Sequence, residues 1–343
     1  MKFGTFILQV SPSPDLDTLI IDNTLNEAML AETLGFDAIW LTEHYFAGDT
    51  VYADPVVFGA AVAAVTNRIT IGLAVVQMAF HHPVKLAAQT ALLDNLSHGR
   101  LIVGTGRGSA YNAYEYMGFG VTVGEGRERM MEAEELLLRS WTEENLDFDG
   151  EYWKVKFPLM RPVTYQKPHP PLIRACLGID SLSEMAKLGR PVLMGIEKPG
   201  EYRSRLNLAR DIMLDESLGE TIIENFMENT WVRKSVYVAE TRHQAEQEAI
   251  EAFQLERKHI SDARKKFNPQ DYHEDLPLPP ATGSDPSHYL ICGSPESVAE
   301  EIAEHKEAGV RNMILGMTPY NLPRGKVEKS MELFATKVAP RFR

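Results

Sequence analysis

The sequence predicts an α/β fold, a TIM (β/α)8 barrel with insertions, formed by residues 1–343 as a single domain. Short apolar runs alternate with helical patterns about every 30 residues, which is the repeat of parallel βα units. Eight such runs are present, and polar or glycine-rich turns follow several of them. A doubly wound sheet is the alternative, but that fold rarely needs so many βα units.

Local signals give the order of the elements. The eight strands are predicted at residues 2–10, 36–41, 68–76, 100–103, 171–176, 191–194, 231–239 and 310–316. The helices are predicted at 24–34, 54–65, 83–96, 124–141, 181–188, 199–218, 293–308 and 326–338, with another long, charged helix ending near residue 266. Gly35 ends the first helix, and Pro83 is tolerated in the first turn of the third.

Two segments interrupt this rhythm. Residues 148–162 place Asp149-Gly150 between alternating aromatic residues, which predicts a small hairpin inserted beside the barrel mouth. Residues 267–287 are rich in proline, aspartate and glycine and lack periodicity. Loops of this length in a compact domain are often functional, so we expect this one to be a lid.

Composition excludes several classes of function. The net charge of −13 argues against nucleic acid and anionic membranes, because both require a basic face. No apolar run is long enough to span a bilayer, and the first residues lack a signal-peptide pattern, so we expect a cytoplasmic protein. The two cysteines, Cys176 and Cys292, are far apart, and neither a disulfide framework nor a metal-binding motif is present.

A glycine-rich turn, GTGRGS at residues 104–109, follows the fourth predicted strand. Its glycines allow the backbone to approach a ligand closely, and Arg107 between Gly106 and Gly108 supplies a fork that suits a phosphate. Arg127, at the start of the following helix, gains nothing from the helix dipole, so a nearby anion would explain it. The alternative is a tight turn whose arginine is solvated.

Glu43 and His44 follow the second predicted strand, at the edge where barrels carry their active sites. Adjacent strand residues point to opposite sides, so one can face the pocket while the other orients it or the loop. Histidine exchanges protons near neutral pH, although a packed histidine is an equal alternative. His81 and His82 follow the third strand and are interpreted as polar loop residues.

Four segments resemble the bacterial luciferase-like flavin monooxygenases. They are LTEHYF at 41–46, the glycine-turn block at 92–109, the segment 116–137, and YLICGSPESVAEEIAEHKEAGVRNMILG at 289–316. The resemblance runs along nearly the whole chain in order. It implies a TIM barrel that uses reduced FMN and dioxygen to form a flavin C4a-peroxide, which oxygenates a small organic substrate.

The resemblance also implies roles for particular residues. His44 would act beside the flavin with Glu43 in support, and the peptide between Ala74 and Val75 would be cis beneath the ring. The implied phosphate ligands are Gly106, Arg107, Gly108 and Arg127, with Ser181 and Ser183 as tentative additions because Asp180 disturbs the family's pattern there. Gly106 also stands where luciferase has a reactive cysteine, so thiol chemistry is not expected.

The expected partners are a separate flavin reductase, dioxygen, a small-molecule substrate and a second copy of the chain, which would contact the alanine-rich second helix and its neighbour. Two other functions stay open. One is an F420-dependent oxidoreductase of the same fold, and the other is a non-catalytic flavin-binding barrel subunit. The acidic composition and the EHYF sequence favour FMN over F420.

Overall fold

The computed structural model describes residues 1–47, 50–270, 272, 285–319 and 322–343. Its strands in chain order are β1 Lys2–Ile7, β2 Ala38–Leu41, β3 Thr70–Leu73, β4 Val76–Gln77, β5 Leu101–Gly106, β6 Leu146–Asp149, β7 Lys154–Phe157, β8 Leu172–Cys176, β9 Val192–Met194, β10 Trp231–Val238, β11 Leu290–Gly293 and β12 Asn312–Gly316. Eight of these, β1, β2, β3, β5, β8, β9, β10 and β12, pair in parallel and close on themselves. The prediction of a TIM barrel is therefore confirmed.

Helices surround this barrel. Those in the described part of the chain are α1 Asp17–Leu34, α2 Pro55–Val65, α3 Pro83–Leu96, α4 Ala113–Gly118, α5 Gly126–Thr142, α6 Ile179–Lys187, α7 Pro199–Asp215, α8 Glu220–Asn229, α9 Arg242–Phe267, α10 Pro295–Glu307 and α11 Arg324–Leu333. The first begins seven residues before its predicted start, and α4, α8 and β11 were not predicted. None of the described helices combines the length and the apolar character needed to cross a bilayer.

The two-residue period of β2 separates two hydrophobic cores. Ile39 and Leu41 pack in the large core between barrel and helices, whereas Ala38 and Trp40 belong to the core inside the barrel. Trp40 is fully buried and meets Trp231 of β10 with ring centroids 5.0 Å apart. Because such rings fill the barrel interior, any ligand site must lie above them at one end of the barrel.

A hairpin extends from the barrel after α5. Its strands β6 and β7 are antiparallel, and the connection 150–153 donates the backbone N–H groups of Glu151, Tyr152 and Trp153 to the carboxylate of Glu132. A single α5 side chain thus fixes the turn against the helix. Of the segment expected to be a lid, residues 271 and 273–284 lie outside the described residues.

The last part of β10 leaves the barrel wall and pairs with β11 instead. Val232 and Lys234 pair in register with β12, whereas Val236 and Val238 pair with β11. The ammonium group of buried Lys234 donates to the carbonyl oxygens of Glu197 and His288, at 3.0 and 2.7 Å. The segment between β10 and β11 therefore returns to the strand from which it departed.

Glu27 of α1 is a buried carboxyl group that links the helix to two loops. It accepts hydrogen bonds from Gln9 Nε2 and Thr318 Oγ1, each at 2.7 Å. Burial raises the pKa of Glu27 to about 7, against the lowering effect of its hydrogen bond from Thr318. The folded state thus binds this proton more tightly than the unfolded chain, so folding stability decreases as the pH rises from 4.5 to about 7.

We expect Glu27→Gln to raise the free energy of unfolding by about 1–3 kcal/mol at pH 8, because the buried negative charge is removed. At pH 4.5 the two proteins should differ much less, since Glu27 is then largely protonated in the folded state. Urea denaturation at both pH values measures this difference. Glu300→Gln, at an exposed position of α10, is the control. Equal effects of Glu27→Gln at both pH values would contradict the assignment.

Candidate active site

A cavity of about 320 Å³ opens at the carboxyl ends of the barrel strands. Phe6, Leu193 and Ile314 reach it from the barrel interior, His44 from the loop after β2, and the segment 74–75 from the loop after β3. Active sites of TIM barrels lie at this end, so the cavity is the candidate active site. Among the described residues, no group of three histidine, cysteine or acidic side chains is placed to hold a metal ion.

The peptide bond between Ala74 and Val75 is cis, and both residues line the cavity. The glycine turn packs closely against this segment: a Cβ atom on Gly106 would lie 2.7 Å from Cγ2 of Val75. Gly108 has a φ of +95°, and its Cβ atom would lie 2.9 Å from Oε1 of Gln77. Packing and backbone conformation therefore require both glycines, whatever ligand the turn holds.

His44 is held by a buried carboxylate on α4. Its Nδ1 atom lies 3.1 Å from Oε1 of Glu115, whose side chain is fully buried, and the imidazole keeps 38% of its surface exposed. Glu115 also accepts the backbone N–H of Tyr45 at 2.9 Å and the amide of Asn112 at 3.2 Å. With Nδ1 donating to the carboxylate, Nε2 is the ring atom available to a ligand in the cavity.

Among the described residues, the Glu43 side chain forms its hydrogen bonds with groups other than His44, so any support of His44 by Glu43 is indirect. Its buried carboxylate accepts hydrogen bonds from the hydroxyl of Tyr45, the backbone N–H of Gln77 at 2.5 Å and Nε2 of His81 at 2.6 Å. Burial lowers the pKa of His81, but the hydrogen bond and charge of Glu43 outweigh this and raise it above the usual value. Glu43 thus joins the loop after β2 to the loop after β3.

Arg107 presents an exposed side chain beside the glycine turn. Its carbonyl oxygen accepts the hydroxyl of Tyr116 at 2.8 Å, which fixes the backbone of the turn. Within the described residues, no carboxylate forms an ion pair with its guanidinium group. This charged group is therefore available to an anion.

Arg127 is engaged by a carboxylate, unlike Arg107. It pairs with Glu184 of α6, and Glu184 also contacts Arg174 at 3.3 Å. Arg174 in turn binds buried Glu134 of α5, which also accepts Arg190 at 3.1 Å. A phosphate ligand at this position would have to share Arg127 with Glu184.

The two serines on α6 already have partners within the chain. The hydroxyl of Ser181 lies 3.1 Å from Sγ of Cys176, and that of Ser183 donates to the carbonyl oxygen of Ile179 at 2.9 Å. Burial raises the pKa of the Cys176 thiol to about 11. Ser181 therefore lies beside β8, and both hydroxyl groups already have a hydrogen-bond partner within the chain.

Several residues at this end of the barrel were not identified from the sequence. Glu115 lies between two aromatic residues on a short helix, 71 positions from His44, and no spacing rule joins them. Arg233, by contrast, could have been recognised from the sequence. Trp231 points into the barrel, so the two-residue period of β10 points Arg233 inward as well. An inward-facing charge on a barrel strand indicates a site at the strand's end.

Comparisons of the sequence and of the fold with known proteins all point to one protein family. The sequence pattern of the family described as luciferase-like monooxygenase matches residues 1–312. The chain is 29% identical over 231 residues to the alkanal monooxygenase alpha chain from the Kryptophanaron alfredi symbiont, covering 66% of this chain and 63% of that protein. It is 26% identical over 355 residues to limonene 1,2-monooxygenase from Rhodococcus erythropolis, covering 100% of this chain and 87% of that protein.

Solved structures agree with this result. The fold is similar to the crystal structure of monooxygenase RslO1 from Streptomyces bottropensis, with a TM-score of 0.86, 28% identity and 100% of both chains covered. The chain spans about three fifths of the length of several curated relatives that it matches. From the matched residues and the shared barrel, we conclude that the chain belongs to the luciferase-like monooxygenase family.

Proposed function

We propose that the protein is a flavin-dependent monooxygenase that uses reduced FMN and dioxygen to oxygenate a small organic substrate. The observation that carries the proposal is one cavity lined both by His44 and by Ala74 and Val75 of the loop after β3. Arg107, for which the described part of the chain supplies no ion-pair partner, lies in the turn that packs on Val75. A proton-exchanging side chain, a surface for a flat ring and a cation for a phosphate are the parts that such chemistry needs.

The residues present fit FMN. The segment 74–75 would lie against the ring, and Gly106 leaves no side chain in the space between β5 and Val75. Arg107 would bind the phosphate, with Arg127 as a secondary ligand shared with Glu184. Reduced FMN, when bound, supplies the electrons that activate dioxygen.

The chain's own contribution to chemistry centres on Nε2 of His44. Glu115 binds the opposite ring nitrogen and so fixes both the orientation of the ring and the position of its proton. Nε2 can then accept or return a proton at the reacting atoms. The aromatic side chains of Tyr45, Phe46 and Phe119, whose ring centroids lie 4.8–5.7 Å apart, would shield this end from water.

The proposed partners follow from the same chemistry. A separate flavin reductase would deliver reduced FMN to this oxygenase. A homodimer would use α2 and α3, which expose Val57, Leu92 and Leu96 on their outer surfaces. We place this system in the cytoplasm, where reduced cofactors are available.

The direct test is oxygen consumption by the purified protein with reduced FMN and, separately, with reduced F420. Uptake with reduced FMN alone, coupled to oxygenation of an aldehyde, ketone or phenol, would support the monooxygenase. Substrate reduction with F420 and no oxygen uptake would favour an F420-dependent oxidoreductase. Flavin binding without turnover of either kind would favour a binding subunit.

His44→Ala should reduce the coupled turnover about 100-fold or more, because proton transfer by a positioned side chain contributes rates of this order. The dissociation constant for FMN should change by less than about threefold, since His44 is not a phosphate ligand. Product formation and fluorescence titration measure the two quantities. His82→Ala, at an exposed position of the next loop, is the matched control. Full coupled turnover in His44→Ala would refute the role of this histidine.

Glu115→Gln should lower kcat about tenfold or more while the dissociation constant for FMN stays nearly unchanged, because the carboxylate acts through His44. A double-mutant cycle with His44→Ala distinguishes this role from a structural one. Once His44 is absent, Glu115→Gln should cost almost no further activity. Additive losses in the cycle would show that Glu115 only stabilises the fold.

Arg107→Met should weaken FMN binding about tenfold or more, because it removes charge-assisted hydrogen bonds to the phosphate. Riboflavin, which lacks the phosphate, should bind both proteins alike. Arg127→Met should have a smaller effect, since Glu184 already neutralises that arginine. Fluorescence titration with both flavins measures these affinities. Equal weakening of FMN and riboflavin would exclude a phosphate contact.

A further inference from the structure

A second charged group faces the cavity from β10. Trp231 packs inside the barrel and Val232 packs outside it, so Arg233 is the next side chain directed inward, followed by Ser235. Both Arg233 and Ser235 line the cavity that contains His44. The proposed FMN chemistry gives neither of them a role.

Among the residues that the structure describes, none forms a hydrogen bond with the guanidinium group of Arg233. It lies over the ring of Phe6, 4.2 Å from the ring centroid, and its Nε atom is buried without a hydrogen bond. No described residue forms an ion pair with it. Buried nitrogens of this kind are nearly always hydrogen-bonded, so the unsatisfied Nε of Arg233 beside a cavity indicates a ligand that completes this side chain.

The charges around Arg233 favour an anion. Glu256 and Arg257 of α9 line the same cavity, and Arg257 lies over the ring of Tyr289 at 4.2 Å. Burial raises the pKa of Glu256, although Arg233 and Arg257 act in the opposite direction. Two guanidinium groups thus face at most one carboxylate, in a chain whose net charge is −13. Both arginines are half-buried, and positive charge that is partly removed from water is costly unless an anion accompanies it.

The other side chains that line the cavity indicate which chemical groups the rest of the ligand carries. Leu177, Leu193, Ile196 and Phe253 are apolar and surround the charged groups within the same 320 Å³. A ligand that satisfies both parts has an apolar body and one planar anionic group. A carboxylate matches the fork of a guanidinium group, because two parallel N–H···O bonds can form.

We propose that Arg233 binds a carboxylate on the substrate, so that the protein acts on a small apolar carboxylic acid. This inference rests on the proposed function for the identity of the cavity as a substrate site. Phe6 supports the guanidinium plane from one face, and Ser235 offers a second polar contact at the same wall. The carboxylate would anchor one end of the substrate, leaving its apolar body to extend across the cavity.

The test measures binding of benzoate and of its uncharged analogue benzamide by isothermal titration calorimetry, with and without FMN. Wild-type protein should bind benzoate more tightly than benzamide. Arg233→Met should weaken benzoate binding about tenfold or more, as expected for the loss of charge-assisted hydrogen bonds, and leave benzamide unchanged. Arg210→Met, at an exposed position of α7 outside the cavity lining, is the matched control.

The outcomes separate this inference from the proposed function. Equal benzoate affinity in wild type and Arg233→Met would overturn the inference, as would a loss of FMN affinity in place of benzoate affinity, because the arginine would then serve the flavin. If Arg233→Met does not fold, Arg233→Lys keeps the charge without the fork and should still weaken benzoate severalfold. Failure of the wild type to bind FMN would refute the proposed function, while the benzoate result would still decide the anion site.

Discussion

Two buried carboxylates determine how the chain leaves the second barrel strand. A carboxyl group inside a protein needs hydrogen-bond partners. Glu43 finds them in Tyr45 and the loop after β3, and Glu115 finds them in Tyr45 and Asn112. Tyr45 contributes to both, with its hydroxyl to Glu43 and its backbone N–H to Glu115. His44 lies between these attachments and has few alternative orientations. The position of the imidazole in the cavity is therefore a result of how the two acids are satisfied.

The barrel was predictable because its signal is local and repeated. In β2, alternate residues belong to the inner and outer cores, and the same two-residue period identifies inward residues on β10. The unpredicted elements lack such a signal. Strand β11 has only four residues and is followed at once by Ser294, whose hydroxyl accepts the N–H of Ser297 at the start of α10. In the sequence, the capping signal of α10 follows β11 so closely that the short strand is not recognised as a separate element.

The sequence was sufficient to predict where the candidate site lies, but not which side chains contact each other there. The order of strands and turns is enough to bring His44, the segment 74–75 and the glycine turn to one end of the barrel. It does not reveal that Glu184 forms an ion pair with Arg127, or that Glu115 binds the imidazole of His44. These partners come from distant elements and meet only after folding. Pairing of charges depends on three-dimensional packing, whereas the location of loops depends on chain order.

The chain that leaves the barrel after β10 comes back as β11, which pairs with the last part of β10. Lys234 joins the loops that carry Glu197 and His288, and β11 continues the sheet beside the strand from which the excursion began. Because both ends are fixed next to each other, the entropy of closing the intervening chain grows only slowly with its length. A change in the length of the chain between α9 and β11 should therefore cost little closure entropy and leave the pairing of the closed sheet unchanged.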